Sequence, residues 1–268
     1  PPRSTLSSSS AASDVYKRQE VHAVEVNPYL NRVMREGELA GFSGRIYHDP
    51  RVTVATEDAR AYVRRYRDHF DIIYSLSSNT FAALASGSFA LAEDYLFTTG
   101  AFEDYWKALS PDGFLVMEHQ FYMPRMVSEV MDALRRQGVE RPEEHFCVYA
   151  LPRMRRQLVV LSRQPLTEEV RRNAIHPLSP KIHEHIHLLY PAADSLASNV
   201  VNQVVQHGWR SAQDSSRIAL SPCDDDRPFT AQLGLWRNLS GLGEKGLVPY
   251  EFLGFPASRL NEGRYAVW

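Results

Sequence analysis

Three short apolar runs, each meeting an acidic residue at a set place, constrain this chain more than any other feature. Val21 to Pro28 reads "VHAVEVNP", a valine-rich run closed by Glu25. The run "VTVAT" at 52–56 leads into Glu57-Asp58-Ala59-Arg60, and Phe70-Asp71-Ile72-Ile73 opens a third on an aspartate. Runs of this length separated by helical patterns predict alternating strands and helices, which pack as a parallel α/β sheet. Ligands of such sheets sit beyond the carboxyl ends of the strands, where an acidic residue closing a strand can accept both hydroxyls of a ribose. Glu25 has that position, and Asp58, after the next strand, is placed to reach an adenine ring or its exocyclic amine. The same acids serve as ordinary strand-end or helix-capping residues in many proteins.

Further along, "DIIYSL" predicts a buried parallel strand, Thr98 to Leu109 a helix stopped at "SPDG", and "FLVMEH" the next strand. Pro124 to Gln137 is helical and ends at Gly138. Asn27-Pro28 opens an earlier helix, because asparagine caps and proline is tolerated in the first turn. Gly41 and Gly44 break it, and 58–70 reads as another helix. "HFCVYAL" and "RQLVVLS", joined at "PRMR", form a hairpin. The expected sheet therefore has 21–26, 52–56, 71–75 and 113–118 parallel, with 145–151 and 156–162 antiparallel beside them. Residues 166 to about 215 are helical and loop-rich, and beyond Arg227 the chain is rich in glycine and proline.

The ordered set "HAVEVNP", "EDARAYV" at 57–63, "FDIIYSLSSNT" at 70–80, "LFTTGAFEDYWKALSPDGFLVM" at 96–117 and "DDDRPF" at 224–229 resembles the spermidine synthase family, and more closely its larger membrane-anchored relatives. The resemblance implies a Rossmann-like α/β sheet of the S-adenosylmethionine-dependent transferase type, at 20–165, with a C-terminal extension at 166–268. It implies S-adenosylmethionine or its decarboxylated form as the bound nucleoside, and Glu25, Asp58, Ala59 and Ser75 as its contacts. Aminopropyl transfer also needs a base, because a protonated amine has no lone pair with which to displace a sulfonium. In the family an aspartate within a segment like Asp-Ser-Ser-Asp-Pro supplies it. The corresponding run here is Leu76-Ser77-Ser78-Asn79-Thr80, with both carboxylates replaced by groups that take no proton. The resemblance thus supports the fold and argues against transfer to putrescine. No catalytic residue is assigned. Glu93, Asp94 and Glu118 are the acids that could substitute, with capping, solvation or strand-end roles as the plainer readings, and Tyr74 or Tyr95 could wall an acceptor site.

Two rival functions stay open: a nucleoside-binding or structural domain without turnover, and methyl transfer. Residues 1–19, "PPRSTLSSSSAASDVYKRQ", are serine-rich and read as non-native sequence or a disordered tail. A glycine-rich turn normally precedes the ribose-binding strand, and none precedes Val21, so the expectation is an N-terminally truncated domain with an incomplete site. The resemblance implies a parent with membrane helices and this part on the cytoplasmic face, but no apolar run here is of spanning length. A formal charge of -2 gives no nucleic-acid footprint. Cys147 and Cys223 are too few for a disulfide framework. His183, His185 and His187 alternate as strand-borne zinc ligands would, yet come from one segment, and Asp224 to Asp226 read as a fixed turn, so no metal is assigned.

Overall fold

The computed structural model describes residues 20–75, 94–119, 122–151, 156–173, 186–192, 196–216, 218–230, 232–233, 235, 247–249 and 264–266. The chain divides into two compact units, Pro1–Arg65 and Tyr66–Trp268.

In the first unit β1 (Val21–Val24) and β2 (Val52–Ala55) pair in parallel, Val21 opposite Val52 and Val24 opposite Ala55. Between them lie α1 (Pro28–Glu36), α2 (Glu38–Phe42) and a short 3-10 turn at Ile46–His48. The local signals hold: the Asn27 side chain accepts the Tyr29 N–H at 2.9 Å and Pro28 takes the first turn. The helix breaks at Gly37, whose backbone is extended, and not at Gly41, which lies inside α2. Ile46 and Val52 form a small core with Val21, Ala23, Tyr47 and Val54. α3 (Ala59–Val63) follows, capped by Asp58, and is far shorter than the helix expected over 58–70. It ends at Val63, and Phe70, expected to close it, belongs to a strand.

The second unit is a five-stranded sheet in the order β3 (Phe70–Ser75), β4 (Leu109–His119), β6 (Arg156–Ser162), β5 (Phe146–Leu151), β7 (His187–Tyr190). β3 and β4 are parallel and joined through α4 (Thr99–Ala108). Each neighbouring pair along β4, β6, β5 and β7 is antiparallel, so the expected hairpin is present, and β7 adds a strand from beyond residue 165. α5 (Met123–Arg136), α6 (Glu168–Asn173) and α7 (Val200–Ser215, kinked at Gly208) complete the unit, and β8 (Leu247–Pro249) pairs with β9 (Arg264–Ala266). Strand alternation gives the sheet two faces. Leu115, Met117, Val159, Leu161, Phe146 and Val148 are wholly buried on one. On the other, Cys147, Tyr149 and Leu166 pack with Phe114, Leu158, Val160, Ile186 and Leu188.

Three expectations are corrected. Among the described residues the six runs lie in two sheets, β1 with β2 in the first unit and the other four in the second. β3, expected to be buried, has β4 as its one neighbour among the described residues, with Ile72 39% and Tyr74 43% exposed. The segment "SPDG" also lies within β4 and does not end before it. Register moves from Phe70 opposite Leu109 to Ile72 opposite Phe114, so β4 bulges around Ser110 to Gly113.

At Gly113 a Cβ would stand 2.6 Å from the Phe70 carbonyl oxygen and 3.0 Å from the Ser110 nitrogen. Both are backbone atoms and cannot swing aside. Gly113→Ala is therefore expected to destabilise the protein by about 1–3 kcal/mol, as overpacking does, read as a lower denaturant midpoint; an unchanged midpoint would show the bulge to be soft.

Candidate functional site

The parallel pairing of β1 and β2 brings their carboxyl ends side by side. Glu25 continues the ladder, its N–H donating to the Ala55 carbonyl at 3.1 Å. Its carboxylate Oε1 accepts the Asn27 N–H at 2.7 Å, so the strand-to-helix turn aims the acid. Glu25 is half-buried, and no described residue bonds its Oε2. Tyr47 lies near enough that burial first, and the Glu25 charge second, push its phenol above the ordinary range.

Past β2, Asp58 is exposed and its Oδ1 accepts the Ala61 N–H at 2.8 Å, the N-cap of α3. The capping role weighed from the sequence is thus present, and one oxygen serves it. Ala59 is the first residue of that helix and is half-buried. Glu57 is turned to Arg65, with two contacts of 2.8 Å, and Arg65 lies over the Tyr62 ring. Glu25, Asp58 and Ala59 therefore share one end of one unit. Ser75, the fourth candidate, closes β3 in the other unit.

Asn31, which pattern reading passed over, organises this end. It is 5% exposed, and its Nδ2 reaches Thr56 Oγ1 at 2.8 Å, the Glu25 carbonyl at 3.3 Å and the Ala55 carbonyl at 3.4 Å. One amide so ties both strand ends together, and its Oδ1 is buried without a partner among the described residues. The available signal was its position inside α1, where asparagine is unfavourable unless its side chain is used.

In the second unit, polar groups gather at the carboxyl end of β4. Glu118 is 3.0 Å from the Arg156 guanidinium, so the acid is already paired. His119, opposite Gln157 in the register, is buried against Phe97 and Tyr122. Burial, then the Arg156 charge, lowers its pKa to about 3, so the imidazole is neutral. Both polar atoms of the Gln157 amide are buried without a partner among the described residues. Glu129 of α5 is fully buried and meets Tyr122. Its signal was a carboxylate within a helix that also carries Met126, Val127, Val130 and Met131.

The remaining candidates are placed as follows. Asp94 accepts the Leu96 N–H, a local capping bond. The Asp-Asp-Asp-Arg-Pro-Phe segment is a fixed turn: Asp224 accepts the Arg227 N–H at 2.9 Å, and Asp225 accepts the Thr98 hydroxyl at 2.6 Å. Tyr74 and Tyr95 are largely exposed. Cys147 and Cys223 are unbridged. His187 begins β7, whereas His183, His185, Leu76, Asn79 and Glu93 lie outside the described residues. No described helix is long and apolar enough to cross a membrane.

The family model for the spermine/spermidine synthase domain matches residues 16–170, more than half of the 268. Among solved structures the chain is similar to spermidine synthase from Thermotoga maritima, at 19% identity and a TM-score of 0.39, over 57% of this chain and 48% of that one. It is also similar to a spermidine synthase in complex with the transition state analogue AdoDATO, at 19% identity and 0.40, over 60% and 51%. A probable spermidine synthase from Corynebacterium glutamicum gives 20% and 0.38, over 58% and 51%. The chain thus spans about half the length of these proteins. No curated protein matches it.

Replacing Asn31 with leucine keeps the volume and removes the shared donor. Amide exchange at Glu25 is expected to accelerate, and stability to fall by about 1–3 kcal/mol as buried acceptors lose their partner. Glu25 exchange as slow as in the wild type would show that Asn31 does not hold the strand end.

Proposed function

We propose that this chain, which belongs to the spermine/spermidine synthase domain family, holds an S-adenosyl nucleoside at the carboxyl ends of β1 and β2. The observation that carries the reading is the pair of acids after two hydrogen-bonded parallel strands. Glu25 is oriented by its own turn and keeps an oxygen for ribose hydroxyls. Asp58, with Ala59 beside it, is assigned to the base in this reading, which its position directly after β2 supports. Ser75 ends a parallel strand of the other unit and is not used in this reading. The nucleoside is S-adenosylmethionine or its decarboxylated form, acting as substrate.

The chemistry follows from what stands where the family's acceptor acids would be. Leu76 and Asn79 neither take a proton from an amine nor hold a cationic one, and the loss of a positioned general base costs about a hundred- to ten-thousand-fold in rate. Putrescine is therefore not the acceptor in this proposal. The same substitutions favour a second reading, a domain that binds the nucleoside without turnover.

Titration of the labelled protein with millimolar decarboxylated S-adenosylmethionine, followed by amide resonances, tests the reading. Shifts are expected at Glu25, Thr56, Asp58 and Ala59, and their loss in the Glu25→Gln, Asp58→Asn double variant. Adding putrescine to the wild-type sample should yield no spermidine. Shifts that survive the double substitution would place the nucleoside elsewhere, and spermidine formation would overturn the acceptor argument.

A further inference from the structure

Glu129 is buried among groups of both kinds, with Arg125 and Ser128 of its own helix buried beside apolar residues. It is 0% exposed, in a helix whose Met126, Val127, Val130, Ala133 and Leu134 are also buried. Its hydrogen bonds admit a count of protons. Oε2 meets the Tyr122 hydroxyl in a short contact, Oε1 accepts the Cys223 N–H at 3.1 Å, and the Tyr122 hydroxyl also reaches the Phe97 carbonyl at 3.2 Å.

A phenol has one proton to give. With Glu129 ionised, the carboxylate and the Phe97 carbonyl compete for it, and one buried acceptor is left short. With Glu129 protonated, Oε2–H donates to the Tyr122 oxygen, the phenol donates to Phe97, and Oε1 keeps the Cys223 N–H. The neutral acid satisfies every group, which is the condition buried polar networks meet.

The nearby charges do not reverse this. On the same helix, the Arg125 Nη1 is spent on the carbonyls of Phe229, Thr230 and Gln232 at 3.1, 2.9 and 2.8 Å. From the segment before α4 comes Asp94, whose charge opposes ionisation. From the 223–230 segment come the Cys223 thiol, hydrogen-bonded to Glu129 and pushed by burial up to about 11, Asp224 beside it, and Asp225, bonded to Thr98. From β4 comes His119, neutral. Burial outweighs the bonds from Tyr122 and Cys223 and the Arg125 charge, and pushes the Glu129 carboxyl up to about 8.

What Glu129 grips is the Asp-rich segment, and that segment grips the start of α4. Thr99 N–H donates to the Cys223 carbonyl at 2.9 Å and Asp94 N–H to the Pro228 carbonyl at 2.8 Å, beside the Thr98–Asp225 bond. We propose that Glu129 is a proton-operated latch: its neutral carboxyl closes residues 223–230 onto residues 94–99, and its ionisation loosens that clasp. The device does not depend on which nucleoside the chain binds.

The sign follows from linkage. An acid whose pKa is raised in the closed state favours closure fully below its ordinary value of 4.5, and that advantage is lost progressively as pH rises to about 8. One proton is held per closing event, so opening becomes more frequent by up to about tenfold per pH unit in that window and levels off above it.

Hydrogen exchange on the full chain at pH 5.5 to 9, corrected for intrinsic exchange, tests this. Wild-type peptides spanning 94–99 and 218–230 should lose protection with rising pH up to about 8 and then level off, while those spanning 146–151 stay flat. In Glu129→Gln, an isostere of the neutral acid, the dependence should vanish. Flat wild-type protection of the clasp, or an equal slope in the variant, would overturn the proposal. If the variant does not fold, carbon-13 titration of the wild-type Glu129 carboxyl decides: a midpoint near 8 supports the latch, and one near 4.5 removes it.

Discussion

β4 is the constraint on which the larger unit depends. It is hydrogen-bonded along both edges, parallel to β3 and antiparallel to β6, and so marks where the sheet changes sense. Its alternation sends Leu115 and Met117 into the fully buried face and Phe114 toward the Tyr149 and Leu166 cluster. Burying a side chain of this size contributes about 1.5–3 kcal/mol, so the strand is anchored several times over. The same alternation ends in a polar residue on each face, Glu118 against Arg156 and His119 against Tyr122. The larger unit's polar cluster follows directly from that register.

The smaller unit reaches its arrangement differently. Its two strands have a small core, and much of their order at the carboxyl end comes from Asn31 and from the turn that binds the Glu25 carboxylate. A site made this way has its acids placed by backbone and amide contacts. The charges therefore remain partly solvated and available to hydroxyl groups, which suits ribose recognition better than proton transfer. Glu129 shows the opposite environment: it is fully buried, with its carboxyl group against the Tyr122 hydroxyl and the Cys223 N–H.

Much of this was legible in the sequence because it rests on local chemistry. Asn27-Pro28 announces α1, valine-rich runs announce β1 and β2, and the two apolar runs flanking "PRMR" announce β5 and β6 as a hairpin. What was not legible depends on partners distant in the chain. Ile72 and Tyr74 look like core residues until the strand order leaves β3 with β4 as its one neighbour among the described residues. "SPDG" looks like a stop until Gly113 is pressed to the Phe70 carbonyl and the strand bulges through it. Glu129 finds its bond to Cys223 across 94 residues of sequence, and Asp225 finds Thr98 across 127. Of the site residues, Glu25 and Asp58 could be named from strand ends, whereas Asn31 needed both strands in view.

The central claim is that an adenine nucleoside sits at the carboxyl ends of β1 and β2. Photolabelling with 8-azidoadenosine, followed by mapping of the modified peptides, tests it most directly. The account predicts label within residues 24–31 or 56–61, displaced by excess S-adenosylmethionine. Label confined to residues beyond 66, or label that the excess nucleoside does not displace, would contradict it.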